Sequence, residues 1–241
     1  MHHVIPNWPA PKHIKAFSST RIGGVSQGVY QGLNLGAHVG DNMNHVERNR
    51  HAIAESLNMP SAPIWLNQTH STCVLRAESP QLDTHDADGI CTALPQVVCT
   101  VMTADCLPVL ITNTSGTQVA AVHAGWRGLA GGIIENALAQ IQGEALVWLG
   151  PAIGPDAFEV GADVIEAFTQ VHPQTESAFT LQENGQWLAN MDEITRIRLQ
   201  SLGVDGIYSS KVCTYQHPQQ FYSYRRDGIT GRQASFIWIQ P

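Results

Sequence analysis

The chain has 241 residues, 43% of them hydrophobic, and a formal net charge of −7 with only 13 Lys plus Arg. Such a length and apolar content support a sizeable core, while the charge excludes a general electrostatic attraction to nucleic acid and points to a small-molecule partner. Met1 to Lys15 has neither a basic n-region nor an apolar h-region, and no stretch approaches bilayer-spanning length, which predicts a cytoplasmic protein with no membrane partner.

Taken in order, Ile14 to Thr20 predicts a strand, and Arg21 to Gly36 a glycine-rich loop that carries Asn34. Its glycines let backbone amides approach an anion and Arg21 adds charge, although neither a Walker loop nor a dinucleotide fingerprint is present. Asn44 opens an amphipathic helix to about Leu57, with Glu47 three residues on as a capping-box variant. Val46, Ile53 and Leu57 mark its buried stripe, and Pro60 and Pro63 end it. Ile64 to His70 is an apolar run ending in a histidine; Thr72 to Ala77 predicts a strand. Glu78 to Asp88 is a polar loop in which Asp83 and Asp86 lack the pattern of a calcium loop and read as solvated.

Val97 to Met102, Leu107 to Thr112 and Val119 to Val122 predict neighbouring strands of one buried sheet, with a turn at Asn113 to Gly116. Cys106 falls in a break between two of these runs, after Asp105, and His123 ends the third. Gly128 to Gly132 opens a helix to about Ile141, and a glycine-rich helix start beside Arg127 is a candidate anion site. Ala145 to Leu149 predicts a core strand, Gly150 to Pro155 a rigid turn, and Asp163 to Gln170 and Asp192 to Leu202 helices separated by a polar stretch around Gln182 to Gln186. Phe221 to Arg226 and Arg232 to Ile239 predict a hairpin around Asp227 to Gly231. No linker or repeat divides the chain, so residues 1–241 read as a single domain of the α+β class.

His70, Cys106 and His123 therefore stand at strand ends, where side chains can converge. Two imidazoles and a thiol fit a catalytic zinc site, in which three protein ligands leave the fourth position open. Their spacings of 36 and 17 residues are not those of a zinc finger, and no CxxC occurs. The five cysteines, Cys73, Cys91, Cys99, Cys106 and Cys213, are odd in number and unpatterned, so reduced thiols are expected.

WLNQTH at Trp65 to His70, TVMTADCLPVL at Thr100 to Leu110 and AAVHAGWRG at Ala120 to Gly128 resemble signature segments of the YfiH-type family. So do SSTRIGGVSQGVYQGLNLG at Ser18 to Gly36, LGPAIGPDAFEVG at Leu149 to Gly161 and SYRRDGITGRQASFIW at Ser223 to Trp238. The family carries three labels: polyphenol oxidase or laccase-domain protein, peptidoglycan editing factor, and purine nucleoside phosphorylase. The resemblance implies mixed β-sheets in a layered α/β/β/α arrangement. It also implies phosphorolysis of adenosine, inosine and methylthioadenosine to free base and ribose 1-phosphate. Arg21, Arg127 and Arg225 are then the candidate phosphate cations and Asn34 a candidate ribose or base contact. Asp88, where the family also has Asp, is a candidate support for the metal ligands.

Three chemistries fit the proposed centre. A zinc ion on His70, Cys106 and His123 would lower the pKa of bound water from about 15.7 toward roughly 7, giving a hydroxide able to deaminate adenosine at C6. A metal-free hydrolase or amidase would use a Cys106 thiolate activated by His123 or His70, though a nearby Asp105 carboxylate would oppose it. Copper oxidation of phenols is the third: the N/S trio could accept copper, but no two of the eleven histidines lie at i and i+2, so an ordinary laccase cannot be built. A zinc-containing binding module is the non-enzymatic alternative and needs a fourth ligand, such as Cys99, Asp105 or His85.

Overall fold

A computed structural model describes residues 2–81 and 85–241; Asp83 lies outside them. The strands are β1 (His3–Val4), β2 (Ile14–Ser19), β3 (Val74–Arg76), β4 (Gly89–Thr92), β5 (Cys99–Thr103), β6 (Leu107–Asn113), β7 (Val119–Ala124), β8 (Ala145–Leu149), β9 (Glu159–Val160), β10 (Phe179–Leu181), β11 (Trp187–Ala189), β12 (Gly206–Ser209) and β13 (Gln233–Ile239). The α-helices are α1 (Met43–Ser56), α2 (Trp126–Gly131), α3 (Ile133–Leu138), α4 (Ala162–Thr169), α5 (Met191–Ser201) and α6 (Tyr224–Asp227).

Two large sheets stack face to face. One is four-stranded and antiparallel, in the order β1-β2-β13-β5. The other is six-stranded, in the order β12-β8-β6-β7-β4-β3, with parallel pairs only at its two edges. Side chains alternate faces along each strand. Thus Phe236 and Trp238 of β13 pack with Leu33, Leu35 and Ile53 on the α1 side, while Ile237 and Ile239 meet Leu110, Ala121 and Trp148 of the other sheet. Val109, Ile111 and Val147 point the opposite way and pack with Leu129, Ile133, Ile194 and Leu199 from the remaining helices. The layers are therefore α/β/β/α, and each fully buried large apolar side chain contributes about 1.5–3 kcal/mol. Among the described residues no helix is long and apolar enough to cross a membrane.

Several local expectations change. Val97–Met102 was expected beside the next two runs, yet β5 belongs to the four-stranded sheet and β6 and β7 to the six-stranded one. All three strands are buried on both faces, so periodicity alone cannot say which sheet each joins. The chain crosses between sheets at Asp105, whose φ of +91° makes the change of direction. The single helix expected after Gly128 is two, broken at Gly132, where φ is +102°. Asn42, not Asn44, caps α1, its side chain accepting from Asn44 N–H.

The C-terminal hairpin does not form. Tyr224–Asp227 is helical because Ser223 caps it through Arg226 N–H, and β13 pairs with β2 and β5 instead. The polar stretch at Gln182 to Gln186 lies between β10 and β11, an antiparallel pair.

Candidate metal centre

The site is built where the six-stranded sheet, the end of β5 and the loop before β3 meet. His123 lies on β7, one residue before its end, paired in register with Pro108 of β6. Cys106 directly precedes β6 and follows the left-handed Asp105. His70 is itself left-handed, at φ +61°, and such positions cost about 1–3 kcal/mol each for a non-glycine residue. Two of the three site residues thus depend on strained backbone that the surrounding bonds must hold.

Those bonds are visible. The Gln68 amide acts as a missing strand partner for β5, donating to Met102 C=O at 2.8 Å and accepting from Met102 N–H at 2.7 Å. Asp88, fully buried, accepts from the backbone N–H of Thr69, His70 and Ser71 at 3.1, 3.0 and 2.6 Å and from the Ser71 hydroxyl at 2.8 Å. The same carboxylate lies 2.7 Å from His123 Nδ1. Antiparallel pairing of β4 with β7 explains how residues 35 apart meet, since Gly89 opposes Val122 and His123 N–H donates to Asp88 C=O. Asp88 therefore clamps the His70 backbone and the His123 ring at once.

His70, Cys106 and His123 each offer one ligand atom, all lying within 4.8 Å of one another. Cys106 Sγ is 3.8 Å from His70 Nε2, and the two imidazoles meet edge to face with centroids 4.8 Å apart. With Nδ1 of His123 engaged by Asp88, its Nε2 is the nitrogen left for a ligand, the arrangement in which a carboxylate orients a metal-bound histidine. Gly125 makes room: a Cβ there would sit 2.6 Å from His70 Cδ2 and 3.3 Å from Cys106 Sγ. The glycine of HAGWRG is thus a requirement of the site.

Charges agree with this geometry. Burial acts to push the Cys106 thiol up, but the adjacent His123 charge and the histidine contacts overcome it and bring it to about 6. Burial disfavours the His123 imidazolium, yet Cys106 and Asp88 raise its pKa to about 9. Against burial, the bonds from His123 and Ser71 hold Asp88 at about 2. Without a metal the site is a thiolate–imidazolium pair backed by a carboxylate; a cation would replace the proton, with His70, Cys106 and His123 as its donors.

The metal-ligating group stops at three among the described residues. Cys99 lies in the core between the two sheets. Asp105 is turned away: its carboxylate accepts from the hydroxyls of Thr214 at 2.6 Å and Ser223 at 3.0 Å and from Arg225 N–H at 2.7 Å. It does not oppose the Cys106 thiolate as a free charge.

The trio lines a cavity of about 370 Å³, together with His38, Gln68, Thr103, Tyr224 and Arg232. The arginines singled out in the sequence sit elsewhere. Arg21 stacks over Tyr222 and donates to Pro218 and Gln31 carbonyls; Arg127 lies over Trp126; Arg225 lies over Phe158 and donates to Glu159 C=O. Asn34 is fully buried, its amide bonded to Gly36, Asp41 and Arg232. None of the four lines the cavity with the trio. The sequence did not single out His38, Tyr224 or Arg232: Tyr224 and Arg232 fall within the Ser223 to Trp238 segment, His38 lies two residues beyond the segment that ends at Gly36, and only the fold brings the three into the lining with Cys106.

Comparison with known proteins agrees with this frame. The chain is 50% identical over 239 residues to "Purine nucleoside phosphorylase YfiH" of Shigella flexneri, covering 98% of each. It is 47% identical over 245 residues to "Purine nucleoside phosphorylase" of Haemophilus influenzae, covering 100% of each. The crystal structure of a Neisseria meningitidis protein of the DUF152 family superposes with a TM-score of 0.96 at 46% identity, covering 100% of both chains. The family described as "Multi-copper polyphenol oxidoreductase laccase" matches residues 15–240, nearly the whole layered fold with its His-Cys-His centre, and the chain belongs to that laccase-like YfiH family of enzymes.

Proposed function

We propose that the protein is a zinc-dependent purine nucleoside phosphorylase that cleaves adenosine, inosine or methylthioadenosine, deaminates adenosine at the same centre, and acts in the cytoplasm. The observation that carries this reading is the cavity itself: three convergent metal donors in one wall of a space of about 370 Å³ that also holds a cation and an aromatic ring. That volume suits a small-molecule ligand. The names of the full-length relatives support the reaction class.

His70, Cys106 and His123 would hold a divalent ion, which would supply a Lewis acid and lower the pKa of water in the site. The trio suits zinc and copper alike; zinc is proposed because neither phosphorolysis nor deamination transfers electrons. Asp88 keeps His123 oriented with Nε2 toward the centre. Tyr224, an exposed ring among the lining residues, offers a face on which a purine can stack.

A second reading rests on the acidified Cys106, since a thiol brought to about 6 is also what a cysteine hydrolase needs. The substrate would then be an amide, as in editing of peptidoglycan precursors.

Purified protein with measured metal content, incubated with adenosine with and without phosphate, tests both readings. Phosphate-dependent release of adenine and ribose 1-phosphate that stops on chelation and returns with zinc is the expected result. Turnover that survives complete metal removal would favour the cysteine reading, and products absent with zinc loaded would end the phosphorylase one.

A further inference from the structure

Phosphorolysis requires a place for the attacking anion, and the chain's acidic balance makes such a place conspicuous. Among the described residues no Asp or Glu lines the cavity that holds the trio. Asp88, bonded to His70 and His123, and Asp105, beside Cys106 in the chain, spend their oxygens on protein hydrogen bonds. Arg232 is the arginine in its lining. We propose that Arg232, with the Thr103 hydroxyl and the His38 imidazole, forms the subsite that holds inorganic phosphate beside Cys106 and the two histidines. The proposal rests on the phosphorylase reading and names the residues that would bind its second substrate.

Arg232 is held in place before any ligand arrives. Its backbone N–H donates to Asn34 Oδ1 at 2.8 Å, and its carbonyl accepts from Leu35 N–H at 3.0 Å. Its side-chain stem runs under Gly36, where an added Cβ would come within 2.8 Å of Arg232 Cγ. Nη1 is tied to the carbonyls of Thr230 and Gly231, both at 3.0 Å. Nε and Nη2 have no hydrogen-bond partner among the described residues, and this free edge of the guanidinium is the one that binds a tetrahedral oxyanion through two parallel bonds.

Thr103 supplies an independent signal. It is the last residue of β5, only 2% exposed, and its Oγ1 has no hydrogen-bond partner although it is buried and belongs to the same lining. Buried hydroxyls are normally satisfied, and a ligand in this cavity would supply the partner that Thr103 Oγ1 lacks. His38, at the exposed rim, makes no hydrogen bond among the described residues and is held below its ordinary pKa by desolvation and then by the charges of Arg232 and Arg50. A bound anion offsets that repulsion. Arg232 and Cys106 line the same cavity, so an anion on the free edge of the guanidinium would share that space with the proposed metal.

In the step this subsite serves, an oxygen of monohydrogen phosphate bonds to C1′ as the C1′–N9 bond breaks. The electron pair stays with the purine, and the proton lost by phosphate balances the one the purine gains. Asn34 then acts through Arg232 as a positioning residue, its amide fixing the Arg232 backbone.

Calorimetric titration of zinc-loaded protein with inorganic phosphate, paired with separate KM values for phosphate and nucleoside, is the test. Arg232→Gln should weaken phosphate binding and raise the phosphate KM by about ten- to a hundredfold, as expected for loss of a charged hydrogen-bonding pair, and raise the nucleoside KM by clearly less. Thr103→Val should give a smaller rise that Thr103→Ser reverses. Unchanged phosphate affinity in Arg232→Gln, an equal rise in both KM values, or a larger effect from Arg127→Ala overturns the proposal. Should Arg232→Gln fail to fold, the Thr103 pair decides. Phosphate binding that depends on Arg232 in a protein without phosphorolysis would keep the subsite and remove the reaction; no phosphate binding by the wild type would remove the subsite.

Discussion

Two buried aspartates, 17 residues apart in the sequence, do similar mechanical work with different reach. Asp88 gathers the Thr69–Ser71 backbone, and Asp105 gathers Thr214, Ser223 and the first turn of α6. Each carboxylate pins a loop that carries a residue of the cavity, His70 in one case and Tyr224 in the other. The difference is one contact. Asp88 also meets the His123 ring, so its charge reaches Cys106 through that imidazole, whereas Asp105 faces away from the thiol that follows it in the chain. Neighbourhood in sequence is therefore a poor guide to electrostatic influence; direction of the carboxylate decides it.

The sharpest break of the comparison removes the thiol both regions surround. Cys106→Ala should abolish metal content and purine turnover together, measured by elemental analysis and product assay; full turnover without metal would remove zinc from the mechanism. Next, Asp88→Ala should lower metal affinity by about 10–100-fold, as loss of an orienting partner typically does. It should also destabilise the fold by about 3–5 kcal/mol, because the N–H groups and imidazole it satisfies are left buried. Asp105→Ala should cost about 2–4 kcal/mol in urea unfolding and raise the nucleoside KM through the freed α6, with metal affinity changed by less than about threefold. Equal effects on metal affinity from both variants would erase the distinction drawn between them.

Titration separates the pair more finely. In metal-free protein, alkylation of Cys106 by iodoacetamide should rise with a midpoint near pH 6. Asp88→Asn should move that midpoint upward, because a His123 imidazolium without its carboxylate is less stable; Asp105→Asn should leave it in place. The smallest effect is on acid stability. The folded pKa of Asp88 is about 2 against an ordinary 3.8, so its contribution, about 2 kcal/mol, is complete above about pH 4 and lost as the pH falls toward 2. Urea midpoints of wild type and Asp88→Asn should converge over that interval.

Much of the core and one part of the centre were legible in the residues. Alternating and continuous apolar runs located most strands of the two sheets, and a histidine or cysteine at the ends of three of them suggested convergence. Neither signal could show that β5 pairs with β13 rather than β6, since a strand buried on both faces has no polar side to orient it. Phe221 to Arg226 read as one strand of a hairpin; the Ser223 cap and Asp105 instead make Tyr224–Asp227 a helix. The arginines chosen for phosphate were chosen for glycine-rich or charged surroundings, and each instead stacks on an aromatic ring.

By itself the sequence determined the mixed α and β class of the fold and the donor types at its centre, because hydrophobic period and residue chemistry are local properties; the layered arrangement was implied only by the family resemblance. The tertiary structure alone decided which arginine faces Cys106, which aspartate holds His123 and where the chain changes sheets. Those outcomes depend on the direction of single side chains after strands 35 or more residues apart have paired, as with Asp88 and His123, and no local pattern encodes a direction set by a distant partner.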